Sequence, residues 1–283
     1  MLRRLRSIKK IVVTVTVLQV LLISVVSYAS HSDIKTKTPG VLNVISYSEF
    51  KPISYGERGE GYEGDLLRAV AKLWNIDIQF YPESIYEGLW CLPSKKYTIA
   101  DIAMGGMTPS NSRIKQGALF SIGTTSFDQS LLVRKKDYKS GRIVSYQSFK
   151  KNNLKIGVVP GTTGEFYAHL RAKENRLPSN VFVQYASESE LLPALLNGKV
   201  DAIARGEIGN KYQESKNKEL VTIAKKSFGE YFAFATSDNT LTDNLNRAIR
   251  KITNNGKITY SQWDKKHTVF LERVNQLTDN SNS

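Results

Sequence analysis

The stretch SLLVRKKD, residues 130–137, closes one series of strand and helix patterns and stands before a second. Leu131, Leu132 and Val133 read as an extended run flanked by lysines, and the next sixteen residues, YKSGRIVSYQSFKKNN, turn polar. A chain that leaves one folded unit for another would do so here. Upstream, VLNVISY (41–47) reads as a strand, and EGDLLRAVAKLWNI (63–76) as a helix with Leu66, Leu67, Val70, Leu73 and Trp74 on one face. DIQFY (77–81) is the next strand, IYEGLWCL a helix, and DIAMGG (101–106) a strand that runs into a loop. This order predicts a parallel sheet covered on both faces.

Downstream the series restarts. LKIGVV (154–159), VFVQYA, VDAIA (200–204) and ELVTIA (219–224) read as strands. They are separated by a helix opening at PGTTGEF and by SESELLPALLNG, where Ser187 and Glu190 have capping-box spacing. A second extended run, SFGEYFAFA, then carries the chain back toward two closing helices, LTDNLNRAIRKITNNG and KITYSQWDKKH. Two crossings make the second unit an insertion. The expected organisation is residues 40–133 with 229–271 as the first lobe, 137–226 as the second, and 272–283 as a disordered tail. A cleft between two such lobes is a favoured seat for a small ligand.

The first 29 residues read as a signal peptide. A basic segment, MLRRLRSIKK, precedes a sixteen-residue apolar run that is short for a membrane span, and Ser27 and Ala29 offer a small-residue cleavage site. The sequence thus predicts export to the periplasm. Removing these residues lowers the net charge from +14 to +9. The remaining lysines are dispersed, with no interleaved aromatic platform, so no nucleic-acid partner is expected; a bias toward anionic ligands or an anionic membrane surface is. The single cysteine, Cys91, excludes an internal disulfide, and the three histidines stand far apart, so no metal and no cofactor is expected.

Taken in order, these segments resemble the family 3 extracellular solute-binding proteins, the periplasmic amino-acid receptors of ABC importers. The resemblance rests on GYEGDLLRAVAKLW, DIAMGGMTPSNSR, FS at 120–121, LLVRKKD, IGVVPGTTGEFY, LLNGKVDAIA and NNGKITYSQWDKKH, and spans about residues 41–268. It implies an α/β chain with the type II periplasmic-binding-protein fold, two α/β lobes joined by a two-strand hinge that closes like a flytrap. It also implies a monomeric, non-enzymatic protein that captures a polar amino acid or related small carboxylate and passes it to an inner-membrane ABC permease.

For the site, the resemblance assigns Arg113 to the ligand carboxylate, a bidentate pairing that gains strength in a closed cleft. Thr108 would add a hydroxyl, and Gly106 room beside the backbone. Thr162 and Thr163 would add hydroxyls at the start of a helix whose free N–H groups face the same anion. Where the family carries an aspartate for the ligand's ammonium, this chain has Gly206; either Glu207 is the substitute, or Arg205 instead places a second cation in the cleft, for a ligand with an extra anionic group. Of Tyr47, Phe50 and Tyr55, one is expected to line the cleft; Trp90 and Trp263 are expected in the core. The family's Phe-Ser-x-Pro-Tyr also departs here, to FSIGTT. The alternative function is a periplasmic cyclohexadienyl dehydratase on the same scaffold, with Glu165 or Glu207 as its general acid.

Overall fold

In the computed structural model, which describes residues 34–150, 153–265 and 267–279, the strands open with β1 (Val41–Tyr47), the short pair β2 (Glu49–Phe50) and β3 (Ser54–Tyr55), and, after helix α1 (Tyr62–Trp74), β4 (Asp77–Glu83). A 3₁₀ turn at Leu89–Ser94 follows, then β5 (Ile102–Met107), α2 (Asn111–Lys115), β6 (Leu119–Phe120) and β7 (Thr125–Arg134). The predicted helix at IYEGLWCL is this single turn, bounded by Gly88 at φ 81° and holding Pro93.

The second series comprises α3 (Lys135–Lys139), β8 (Ile156–Val158), α4 (Thr163–Glu174), β9 (Phe182–Gln184), α5 (Glu188–Leu196), β10 (Ala202–Gly206) and α6 (Glu207–Lys216). Then β11 (Leu220–Thr236), α7 (Asn239–Ile252), α8 (Tyr260–Lys265) and α9 (His267–Asp279) complete the described chain. From Lys35 on, the described residues cluster as one compact unit. The predicted signal peptide lies outside the described residues.

The strands follow one path, β4-β1-β5-β11-β7-β10-β8-β9, with β6 beside β11. The first lobe's strands β1, β4 and β5 are mutually parallel, as are β8, β9 and β10 of the second. Between them run β7 and β11, antiparallel to each other from Leu220–Arg134 to Phe232–Thr125. The two runs read as separate strands, ELVTIA and GEYFAFAT, are therefore one strand of 17 residues. Register shifts interrupt its ladder between Ile223 and Lys226 and again before Glu230, where Ala224 and Gly229 take positive φ. Such bulges bend and twist a ribbon.

The outgoing crossing lies earlier in the chain than the lysine-flanked run suggested. From Gln129 to Val133, β7 is already paired with β10 of the second lobe, so the exit sits near Thr125–Phe127. An apolar run identifies a strand but not its neighbour. The tail also differs from expectation: α9 is helical through Asp279 because Phe270 and Val274 recur at helical spacing and are both buried.

Arg134, at the end of β7, ties the second lobe together. It donates through Nε to Asp137 Oδ2 (2.6 Å), through Nη1 to the carbonyls of Leu195 (2.6 Å) and Val200 (2.8 Å), and through Nη2 to Asp201 Oδ1 (2.8 Å). Arg142 reaches the same two aspartates at 2.9 and 3.1 Å. Burial alone would raise Asp137, but its bonds to Arg142 and Arg134 outweigh that and hold its carboxyl below the usual carboxylate range.

A buried inter-lobe site

The loop after β5 is shaped from behind. Glu63, in the first turn of α1 and fully buried, accepts through Oε2 the N–H groups of Gly105 and Gly106, both at 2.9 Å. Gly106 turns there at φ 63°, and a Cβ in its place would come within 2.6 Å of the Phe50 ring. Only glycine meets both conditions.

Burial pushes the Glu63 carboxyl up to about 8, against the two amide bonds that lower it; Oε1 has no hydrogen-bond partner. The folded chain thus keeps this group protonated where the unfolded chain ionises it. Its contribution to stability is complete below the ordinary carboxylate value and is lost as pH rises toward 8, by at most a few kcal/mol. Glu63→Gln is expected to remove that slope, so that urea midpoints at pH 5 and pH 8 converge relative to wild type. An unchanged pH profile would show that Glu63 ionises freely in the fold.

Ser110 caps α2 by accepting the Arg113 N–H, and this sets the arginine pointing back under the loop. Arg113 is 4% exposed. Its Nη1 donates to the Thr108 carbonyl (2.7 Å); its Nη2 donates across the gap to the Gly161 carbonyl of the second lobe (2.8 Å) and lies 3.4 Å from Tyr86 Oη. The guanidinium carbon stands 4.4 Å from the centre of the Trp90 ring. Trp90 is buried, as expected, but its face is part of the arginine's seat.

On the opposite side, α4 begins at Thr163. Thr162 is its N-cap, accepting the Glu165 N–H, while Glu165 returns to accept the Gly161 N–H (3.0 Å). This is a variant of the capping box, closed on the N–H one residue before the cap rather than on the cap's own. The hydroxyl of Thr162 is thus spent on the cap and on the Val159 carbonyl (2.8 Å) rather than offered to a ligand. That of Thr163 accepts from Gln129 Nε2 (3.2 Å). The box read at Ser187 and Glu190 does not form: Glu190 accepts the Ala186 N–H, one residue before the cap, and the Ser187 hydroxyl meets Ser189.

Between the lobes lies a cavity of about 30 Å³, room for one or two waters. Its walls are aromatic: Tyr47 meets Tyr86 edge to face at 5.2 Å, and Phe232 stacks on Phe127 at 4.1 Å and meets Phe50 at 5.8 Å. Gly106, Thr162, Thr163 and Arg205 also border it. Two of the three aromatics weighed for the cleft, Tyr47 and Phe50, line this cavity. Tyr55 instead faces an outer groove with Trp263 and His267, its ring 5.2 Å from Lys51 Nζ. Trp263, expected in the core, is half-buried there and donates to Asp65.

Two further expectations need correction. Arg205 is no open cation: Nη1 pairs with Glu188 (2.5 Å), Nε with Asn210 (2.8 Å), and Nη2 with the Gly209 carbonyl (3.1 Å). Glu207 opens α6 but does not border the cavity; its carboxylate pairs with Lys225 at 2.7 Å. The shift of one residue from Gly206 carries the side chain outward, where a lysine of β11 meets it. Glu165, the other candidate acid, has its oxygens on Gly161 N–H and on Gln184.

Residues that the spacing did not mark complete the site. Glu188, the first residue of α5, donates its N–H to Tyr47 Oη (3.2 Å) across the gap, and next to it Ser189 donates to Glu49 Oε2 (3.0 Å). Burial raises the Tyr47 phenol, and the Glu188 charge adds to this. Glu230, on β11, is 3% exposed and accepts from Thr108 Oγ1 (3.3 Å) and Gln129 Nε2 (2.7 Å). Burial lifts its carboxyl above the usual range, against the bonds from Gln129, Thr163 and Thr108.

Comparison with known proteins agrees with this architecture. The model of the bacterial extracellular solute-binding proteins, family 3, matches residues 42–266. A probable histidine-binding protein of Neisseria gonorrhoeae is 31% identical over 245 residues, 83% of this chain and 85% of its own. Among solved structures, an ancestral arginine-binding protein bound to arginine superposes with a TM-score of 0.67 at 26% identity, covering 80% of this chain and 97% of that one. The ancestral amino-acid-binding protein AncCDT-1, a precursor of cyclohexadienyl dehydratase, gives 0.66 at 27% identity, covering 80% and 95%. These relatives are binding proteins rather than enzymes, and their shared architecture is the type II fold of two lobes. On a match over four-fifths of its length, the chain belongs to the bacterial extracellular solute-binding proteins of family 3.

Proposed function

We propose that the protein captures an α-amino acid between its lobes in the periplasm, as a monomer, and presents the closed form to an inner-membrane ABC permease. The observation that carries this reading is Arg113, a buried arginine of the first lobe bonded to the backbone of the second. Its partners in the closed form are two neutral carbonyls, so a carboxylate entering the cleft would exchange weak acceptors for a charged one. The amides of Thr163 and Gly164, the first two of α4, precede any intrahelical acceptor and add donors for the same anion. The 30 Å³ cavity at the aromatic wall is smaller than any amino acid, while a wider pocket of about 730 Å³ bordered by Arg113, Thr108 and Thr163 lies beside it, so the lobes would part to seat a ligand against that wall and close around it. The β7–β11 ribbon is the element that would flex.

The side-chain seat is the aromatic wall of Tyr47, Phe50, Phe127 and Phe232. Such faces accept a guanidinium or an imidazole as readily as an apolar chain, and arginine and histidine are the ligands in the relatives' names. With Arg205 already paired to Glu188, the cavity offers no unmatched cation for an anionic side chain. A thermal-shift screen of the amino acids and small dicarboxylates tests the proposal. At a hundred times its dissociation constant, the true ligand should raise the melting temperature by about 5–10 °C. A screen in which only dicarboxylates shift the protein, or nothing does, overturns it.

A further inference from the structure

An α-amino acid held by Arg113 carries its ammonium one carbon from the bound carboxylate, so the acceptor for that ammonium must stand beside the arginine. Glu87 is exposed at the rim against Gly161, and Glu49 accepts the Ser189 N–H; of the five further carboxylates around the cleft, four are committed elsewhere. Glu63 lies behind the loop on two glycine amides. Glu165 caps α4. Glu207 pairs with Lys225 outside the cavity. Glu188 pairs with Arg205 and is separated from Arg113 by the rings of Tyr47 and Tyr86.

The fifth is Glu230. It and Arg113 bond to the same residue: Arg113 Nη1 to the Thr108 carbonyl and Thr108 Oγ1 to Glu230 Oε1. It is nine-tenths buried, and among the described residues no cation lies within ion-pair distance of it. All its bonded donors are neutral, Thr108, Gln129 and Thr163, and Arg113 reaches it only through its field. A buried carboxylate held by neutral donors beside an arginine is an anionic seat short of its cation.

Resting on the amino-acid reading, we propose that Glu230, contributed by the return strand of the hinge, accepts the ligand's ammonium, the function that Gly206 leaves unfilled and that Glu207 is turned away from. Thr108 would serve both ends: its hydroxyl donates to Glu230 and keeps lone pairs for the ammonium. Since β11 belongs to both lobes, the ammonium contact would sit on the element that bends, and ligand charge would be read by the hinge itself. Burial holds the Glu230 carboxyl above the usual range, as expected of an anion awaiting a partner.

The test is calorimetry on the full exported chain with L-arginine, L-histidine and L-glutamine, each beside the acid lacking its α-amino group: 5-guanidinopentanoate, 3-(imidazol-4-yl)propanoate and 4-carbamoylbutanoate. Wild type should favour whichever amino acid it binds over the matching acid by about 30-fold or more. In Glu230→Gln, whose amide can still bond Thr108 and Gln129, that preference should collapse to within about threefold, chiefly through weaker amino-acid binding.

An equal loss for both compounds would make Glu230 a structural residue and overturn the proposal. Tighter amino-acid binding by the variant would make Glu230 a tethered competitor for the carboxylate seat, again overturning it. If wild type binds the acid as tightly as the amino acid, the proposal fails without any variant. If wild type binds no amino acid at all, the reading beneath it fails first.

Discussion

Replacing Arg134 by alanine should cost about 3–5 kcal/mol, because it strips a buried cation from two aspartates and leaves two carbonyls unpaired. Asp137 and Asp201 are both under a tenth exposed, and the carbonyls of Leu195 and Val200 bracket the turn from α5 to β10. Arg142, itself partly exposed, already reaches both aspartates and would soften the loss but cannot reach the carbonyls. With whole-domain stabilities near 5–15 kcal/mol, the variant should sit close to unfolding. Urea titration followed by circular dichroism reads this directly. Arg134→Lys should recover only part, since an ammonium lacks the fork that meets four acceptors at once. A midpoint change worth less than about 1 kcal/mol in the alanine variant would show that the cluster contributes little.

Arg113→Ala should cost about 2–5 kcal/mol of ligand binding, a loss large enough to erase ligand-induced thermal stabilisation. Removal also vacates the face of Trp90 and unties the Gly161 carbonyl, so the unliganded protein should favour the open form. Small-angle scattering separates the two effects: the radius of gyration should rise without ligand, and added ligand should no longer shrink it. Arg113→Lys keeps the charge without the planar fork and should bind between the two. Retained affinity in the alanine variant would remove Arg113 from the ligand seat.

The first lobe was legible because its strands are short apolar runs divided by amphipathic helices, so period and order suffice. The crossings were less so. Leu131–Val133 has the composition of any buried strand, and nothing in it says that its neighbour is β10. The middle of β11, KKSFG, looks like a turn because it is polar and ends in a glycine, yet it is the half-exposed bend of one ribbon. Arg113 stood out because a turn has no use for a lone arginine after two glycines. Glu230 did not, because a glutamate in a strand usually faces water, whereas this one shares the inward face of β11 with Phe232. Glu207 misled through spacing: one residue along a strand end reverses the face.

In the β7–β11 ladder, Thr125 and Phe232 are direct partners at the crossing, so the chain enters and leaves the inserted lobe through residues about 5 Å apart. A module whose two ends nearly touch can be lifted out and another spliced in without stretching the host. Lobe exchange between relatives at these two positions therefore offers a route to new receptors in which the arginine-bearing half is kept and the opposing wall is swapped.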